Sequence, residues 1–343
     1  MHFDVMTRAD SWQNVATFAR DVERVGISGL LFTEAGQVPW MMIAAAAQAA
    51  PSLHHSTGIA VAFPRSPMIS AQIAWELASN TKGKFRLGLG SQVKPHIERR
   101  YGVTFEQPAK RMRDYMLAVK ASIQAFQGNE RLDHNGPFYK LNLLTPQWSP
   151  PRHDYENIKI DMSAVNPLML KVTGEVADGL HVHPMHSMPY IKNRVLPALK
   201  EGAQSAGRNL SDIDLIIPVL AVPGDSPEEQ ADMAKEAKTA IGFYGSTPVY
   251  AFQFDDLGYE GVRLKLAETL RSGGREALAA EVSDELLDQF GLVARWDDMA
   301  DKLIDRYNGI ASRVVMYLAK PSILKNPKNL EKWGEIARAV QAA

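Results

Sequence analysis

Short apolar runs recur along the chain, and between them apolar residues return every three or four positions. The runs predict strands at Phe3–Thr7, Gly29–Thr33, Thr57–Phe63, Phe85–Gly90, Ile158–Met162, Gly179–Val182, Asp214–Val222 and Arg313–Leu318. Between the first two, Val15, Phe18, Val22 and Val25 repeat at helical spacing behind Ser11, a side chain suited to the N-cap. Pro67 suits the first turn of another helix, with Ile69, Ile73 and Leu77 predicted on one apolar face. Eight strand–helix units in 343 residues point to an α/β fold, a single (β/α)8 TIM barrel, more than to an open sheet.

Two stretches are too long for simple connections. One spans about 129–157 and contains PFYKLNLLTPQWSPP; the other spans about 243–290 and begins FYGSTPVY. In a barrel such insertions usually follow a strand and build the C-terminal, active-site face. With no repeat, low-complexity tract or Gly/Ser linker, one barrel domain over 1–343 is predicted.

Composition narrows the partners. A hydrophobic share of 45%, a charged share of 22% and a net charge of −1 leave no global attraction to nucleic acid or an acidic membrane. No apolar run approaches the roughly 18 residues of a membrane span. The start, MHFDVMTRADSW, lacks the basic end and apolar stretch of a signal peptide. Without cysteine there is no disulfide, thiolate nucleophile or iron–sulfur cluster. A cytoplasmic protein acting on a small molecule is expected.

Candidate chemistry begins with KFRLGLGSQVKPHIERRYG, Lys84 to Gly102. Gly88 and Gly90 close a strand, but the dinucleotide fingerprint needs a third glycine where Val93 stands, so that motif fails. In SAVNPLML a strand ends near Met162, and Pro167 opens a helix whose free amides and dipole suit an anion. Basic residues gather at Lys94, Arg99 and Arg100, and again at Lys110, Arg111 and Arg113. HVHPMH invites a metal reading, but no carboxylate-rich partner motif accompanies it, and no metal is expected. His183 instead ends a barrel strand, where an imidazole suits proton transfer; a packed, hydrogen-bonded histidine is the other reading. Trp40, Trp148, Phe243 and Tyr244 fall on predicted mouth loops, as walls of an apolar pocket or as core.

Taken in order, TGIAVAFPRSP, KFRLGLGSQVKPHIERRYG, SAVNPLMLKVTGEVADG, GAQSAGR, FYGSTPVY and VSDELLDQFGLVARWDDMADKLIDRY resemble the bacterial luciferase-like superfamily. The likeness is to the branch that uses the deazaflavin coenzyme F-420. It implies that Ser91, Gln92, Val93, Lys94 and His96 lie beside the ribityl chain and phosphate. Arg99 and Arg100 would join Lys94 in meeting the phosphodiester and polyglutamate tail. By the same likeness, Ser163, Ala164, Val165 and Asn166 hold the phosphate through backbone N–H groups. Ala60 and Val61 would be joined by a non-proline cis peptide, bulged against the deazaflavin ring.

Related deazaflavin enzymes often have Asp-His after the second strand, where this chain has Glu34-Ala35. The carboxylate is kept and the histidine is gone, which leaves Glu34 and His183 as acid/base candidates and sugar-phosphate or alcohol substrates in doubt. The resemblance implies hydride transfer between F-420 and a small organic substrate, in a homo-oligomer, a dimer or larger. An FMN-dependent two-component monooxygenase and a non-catalytic flavin- or deazaflavin-binding barrel are the alternatives.

Overall fold

The computed structural model describes residues 1–343 except Ala9 and Asn129, so the first residue of the predicted insertion lies outside the described residues. Eight parallel strands form the barrel: β1 (His2–Thr7), β2 (Gly29–Phe32), β3 (His54–Thr57), β4 (Phe85–Gly90), β5 (Lys159–Ser163), β6 (Gly179–His181), β7 (Asp214–Val219) and β8 (Arg313–Met316). Around the barrel the order is β3, β2, β1, β8, β7, β6, β5, β4, and pairing of His55 with Phe85 and Ser56 with Arg86 closes it. Ser11 caps the helix Trp12–Arg24, its side chain accepting from the Asn14 amide, and Val15, Phe18, Val22 and Val25 are buried as predicted. No helix among the described residues is long and apolar enough to cross a membrane.

Four details depart from the sequence pattern. The predicted strand Thr57–Phe63 is two pieces: β3 ends at Thr57, and Ala60–Val61 pairs only with Leu89 and Gly90 of β4. Likewise β7 ends at Val219, and Ala221–Pro223 pairs with Leu292–Ala294, a strand that periodicity did not predict. In the helix Pro67–Asn80, Ile69 is 48% exposed. The buried face is Ser70, Ala71, Ala74, Trp75, Leu77 and Ala78, in which the small residues Ser70, Ala71, Ala74 and Ala78 let the next helix approach. There the Ser70 and Tyr115 hydroxyls meet at 2.6 Å.

The last departure is the first insertion, which follows the helix Pro108–Gln127 and not a strand. It folds back along the outer wall. Buried Asp114 accepts from the Phe138 and Tyr139 amides (2.7 and 2.9 Å) and lies 2.8 Å from His134 Nε2. Trp75 Nε1 donates to Pro151 O at 2.9 Å. Trp148 is 70% exposed on this segment, which removes it from the mouth aromatics. The second insertion is helical, with Val262–Ala277 kinked at Gly274 and Asp284–Phe290 leading into Leu292–Ala294.

The barrel interior is layered by the two-residue period of its strands. Its lower layer is charged. Arg313 pairs with Asp4 (2.7 and 3.2 Å), while Arg86 binds Asp161 through two bonds (2.7 and 2.9 Å) and Asp214 through a third (2.8 Å). Above it Met6, Leu31, Ile216 and Val315 form a small apolar layer. Burial pushes the Asp161 carboxyl up, but the Arg86 guanidinium outweighs it and holds the pKa well below the ordinary value.

Removing Arg86 strands a fully buried carboxylate. Arg86→Ala is expected to cost about 3–5 kcal/mol at pH 7, measured by denaturant unfolding. Because the folded pKa of Asp161 is depressed, its contribution is present above about pH 4 and is lost as pH falls through the folded value. The gap between variant and wild type therefore narrows in acid, and a gap that does not change with pH counts against the assignment.

Candidate active site

The C-terminal ends of β4 and β5 make one wall of the barrel mouth. Gly88 and Gly90 are required for room, not for turning, since neither has a positive φ. A Cβ on Gly88 would sit 2.0 Å from Thr57 O and 2.6 Å from His181 Nε2; one on Gly90 would sit 2.4 Å from Ser163 Oγ. The turn itself falls to Gln92 (φ 58°), whose side chain accepts from the Val93 amide at 3.0 Å. Val93 O then accepts from His96 and Ile97, opening the short π-helix His96–Arg100.

Cations cluster on this wall. Lys94 is exposed, 3.8 Å from Glu98, and Arg99 is exposed beside it. Arg100 reaches across to Ala35 O at 2.5 Å, tying this wall to the loop after β2. Of the second basic group, Arg111 donates to Thr104 O (2.7 Å) and Tyr139 Oη (2.9 Å), and Arg113 pairs with Glu175. Those two hold the outer helices together.

Next to it, Ser163–Asn166 leads from β5 into the helix Pro167–Val176. Asn166 is extended (φ −86°, ψ 153°) and makes no side-chain capping bond, so the first-turn amides stay open to an anion. Tyr190 Oη fixes the loop by donating to Val165 O at 2.8 Å.

Glu34 is clamped. Its oxygens take both arms of Arg65 (2.5 and 2.8 Å) and the Val61 amide (2.8 Å), with 3% of its side chain exposed. Arg65 also donates to Val61 O at 2.7 Å and lies 5.6 Å over the half-buried ring of Trp40. This knot secures the segment after β3. A non-proline cis bond does occur there, but it joins Gly58 to Ile59 and not Ala60 to Val61; the expected position is two residues late. Ala60 and Val61 are buried in the short strand beside β4.

His183 stands beyond β6 in an aromatic box. Its ring stacks on Tyr250 at 4.2 Å and meets Tyr244 edge-on at 4.7 Å, both from the second insertion. His183 Nδ1 lies 3.1 Å from the Met185 amide and 3.3 Å from the Met185 carbonyl; the shorter contact, with the amide donating, favours the neutral ring that carries its hydrogen on Nε2. Burial pushes the pKa down to about 3, so no imidazolium stands here at neutral pH, contrary to the expectation of a ring poised for proton transfer. Buried Gln253 donates to Met185 O at 2.8 Å, anchoring the His183 loop to the insertion. Phe243 lies at the rim beneath Arg275, 4.7 Å from ring to guanidinium.

The structure thus gathers Ser91–His96, Ser163–Asn166, His183 and Tyr244 around the strand ends, with Trp40 and Phe243 at the rim. Sequence reasoning missed Arg65, Tyr250 and Gln253. PRSP after the third strand could have suggested Arg65 as partner to a buried carboxylate; nothing local marks Gln253. Two clefts of about 500 and 700 Å³ open elsewhere, on the outer side of the second insertion, among residues such as Lys192, Lys302 and Arg306 or Gln230, Lys238 and Leu287. Neither includes a residue of the mouth walls.

A closed (β/α)8 barrel with such a mouth defines an α/β-barrel enzyme class. The luciferase-like monooxygenase description matches residues 1–313, and the chain belongs to that family of oxidoreductases and monooxygenases. An uncharacterized protein of Mycobacterium tuberculosis is 35% identical over 86% of both chains. A 5,10-methylenetetrahydromethanopterin reductase of Archaeoglobus fulgidus is 24% identical over 75% of this chain and 74% of that one. The solved coenzyme F-420-dependent tetrahydromethanopterin reductase of Methanopyrus kandleri superposes with a TM-score of 0.79 at 20% identity, covering 97% of each chain.

Four histidines carry a pH signature. Burial lowers His183 to about 3 and His186, His54 and His55 to about 4, from an ordinary 6.5. Their neutral forms favour the fold fully above pH 6.5. Between about 6.5 and 4 the unfolded chain takes up protons that the folded one refuses. Unfolding free energy should therefore fall steadily from pH 7 to pH 4 in denaturant titrations. A flat profile over that range would show that these rings are not buried and neutral.

Proposed function

We propose that this chain is an F-420-dependent oxidoreductase passing hydride between the deazaflavin and a small organic substrate at the barrel mouth. The observation that carries the reading is the pairing of open amides at the helix Pro167–Val176 with the exposed cations of the adjacent wall, Arg99 and a Lys94 held only at 3.8 Å from Glu98. F-420 has a phosphodiester and a polyglutamate tail, so it needs both an anion cradle and further cations; FMN has one phosphate and needs only the first. An F-420-dependent glucose-6-phosphate dehydrogenase of Mycolicibacterium fortuitum, 24% identical over 68% of this chain, supports the same cofactor.

When bound, the deazaflavin supplies a carbon that accepts or gives hydride. The chain's residues orient and polarise. Ser163–Asn166 and Ser91–His96 fix the phosphate end, and the clamp of Glu34, Arg65 and Val61 holds the strand segment that backs the ring. His183, neutral and protonated on Nε2, donates a hydrogen bond to a substrate oxygen, held rigid by Tyr250, Tyr244 and the Met185 amide. This divides the roles expected of Glu34 and His183 differently: Glu34 positions backbone, and His183 stabilises developing charge on oxygen.

Titration with F-420 and with FMN, followed by fluorescence, tests the cofactor. F-420 should bind in the micromolar range or tighter, FMN much more weakly, and F-420 affinity should fall as salt rises. Equal affinities, or FMN co-purifying at full occupancy, would favour the two-component monooxygenase. Tight F-420 binding without turnover of any enone, ketone or alcohol would favour the non-catalytic barrel.

With a substrate in hand, His183→Asn should lower kcat by about 10²–10³ while leaving F-420 affinity nearly unchanged. Glu34→Gln should lower thermal stability and F-420 affinity together, since it loses the Arg65 ion pair. Full turnover in His183→Asn would remove that residue from the mechanism.

A further inference from the structure

Arg8 follows β1, where inward positions alternate. Asp4 meets Arg313 in the lower layer and Met6 joins the middle one, so the same period carries Arg8 to the upper layer, at the mouth. On neighbouring β8 the alternation runs Arg313, Val315 and then Tyr317, which packs on the Met6 layer. Arg8 is exposed, and its side chain has no hydrogen bond or carboxylate partner among the described residues. Arg275 comes from the second insertion, stands 4.7 Å over Phe243 and likewise has no carboxylate partner among the described residues. Arg65 is committed to Glu34, Arg194 to Asp256, Arg271 to Glu268 and Arg306 to Gly291 O.

Arg275 stands over one edge of an aromatic wall. Phe243 and Tyr244 lie 5.8 Å apart, and Tyr244 and Tyr250 box His183. Burial raises the Tyr244 phenol, while the charges of Arg8 and Arg275 both act against that rise, which places both within electrostatic reach of its ring. The field of Arg8 opposes the burial-driven rise of Tyr317 in the same way.

Position separates this pair from the phosphate cradle. Going round the barrel from β1 through β8, β7 and β6, the fourth strand is β5, directly across from β1 in an eight-stranded ring. An anion held at Arg8 therefore lies on the rim opposite Ser163–Asn166.

We propose that Arg8 and Arg275 form a second anion subsite, and that the substrate is an apolar or aromatic molecule bearing a carboxylate or phosphate. Its anionic group meets the two guanidinium groups, its body lies on Phe243, Tyr244 and Tyr250, and its reacting oxygen is turned toward His183. The assignment of His183 rests on the function proposed above; the subsite itself does not, because it can be read without any cofactor.

The probes are benzoate, phenyl phosphate and, as a neutral control, benzamide, titrated calorimetrically into the full chain without cofactor. The anionic probes should bind about 10- to 100-fold more tightly than benzamide, as charge-assisted bonds allow, and lose that advantage at high salt. Which of benzoate and phenyl phosphate binds better identifies the anion. Arg8→Met and Arg275→Met should each erase most of the preference while F-420 affinity stays within about 2-fold, a margin far below one charge-assisted bond. Equal binding of benzamide and benzoate overturns the subsite. So does a fall in F-420 affinity in the arginine variants with benzoate binding intact, which would assign these cations to the cofactor tail. If F-420 fails to bind the wild type while the anionic preference appears, the cofactor reading falls and the subsite stands.

Discussion

Arg86 holds three strands at once, and the barrel depends on it. Its guanidinium reaches Asp161 on β5 and Asp214 on β7 from β4, and Ser312 Oγ then donates to Asp214 at 2.9 Å, carrying the network toward β8. There the Asp4–Arg313 pair continues to β1. A carboxylate as buried as Asp161 is tolerated only when paired and hydrogen-bonded, so strand register and charge satisfaction specify each other. Shifting any of these strands by one residue would turn its charged side chain out of the barrel.

The same network reaches upward. His181 Nε2 lies 3.5 Å from Asp161 Oδ2, too long for a good hydrogen bond, and the ring fills the space that Gly88 leaves empty. Two residues on, His183 faces the mouth. The charged layer therefore sets where β6 ends, and the end of β6 sets where the imidazole sits. The second insertion then completes the site from above: Tyr250 stacks on the ring and Gln253 holds the Met185 carbonyl. The barrel supplies position and the insertion supplies environment.

How much of this was legible in the sequence follows from the range of each interaction. Seven of the eight barrel strands and the Ser11 cap were readable because alternation, helical period and capping are local, whereas the third was placed late and shares only Thr57 with His54–Thr57. Both long segments stood out by length, but the first was misplaced. Nothing local says that 130–157 folds back along Pro108–Gln127; that depends on Asp114 collecting the Phe138 and Tyr139 amides some two dozen residues away. Ile69 misled because an isoleucine stripe resembles a buried face, whereas close helix packing selected Ser70, Ala71 and Ala74. In the candidate site, the loops Ser91–His96 and Ser163–Asn166 were readable as strand ends followed by a helix start. The state of Glu34 was not, since a carboxylate in isolation looks the same whether it is free or clamped by an arginine 31 residues on.

That distinction bears on how a family site changes its chemistry. Where relatives of the deazaflavin branch place Asp-His after the second strand, this chain has Glu34 and an alanine whose carbonyl takes Arg100. The longer carboxylate reaches Arg65 and the Val61 amide, which together take three of its roughly four acceptor positions. On the proposed function, the polar contact to a substrate comes from another strand. His183 stands just beyond β6, desolvated and with Nδ1 against the Met185 amide, and on the proposed function it polarises an oxygen and does not shuttle protons. On the proposed function, a fixed neutral donor would select substrates whose oxygen needs stabilising more than protonating, and the cations at Arg8 and Arg275 would orient such a substrate from the opposite rim.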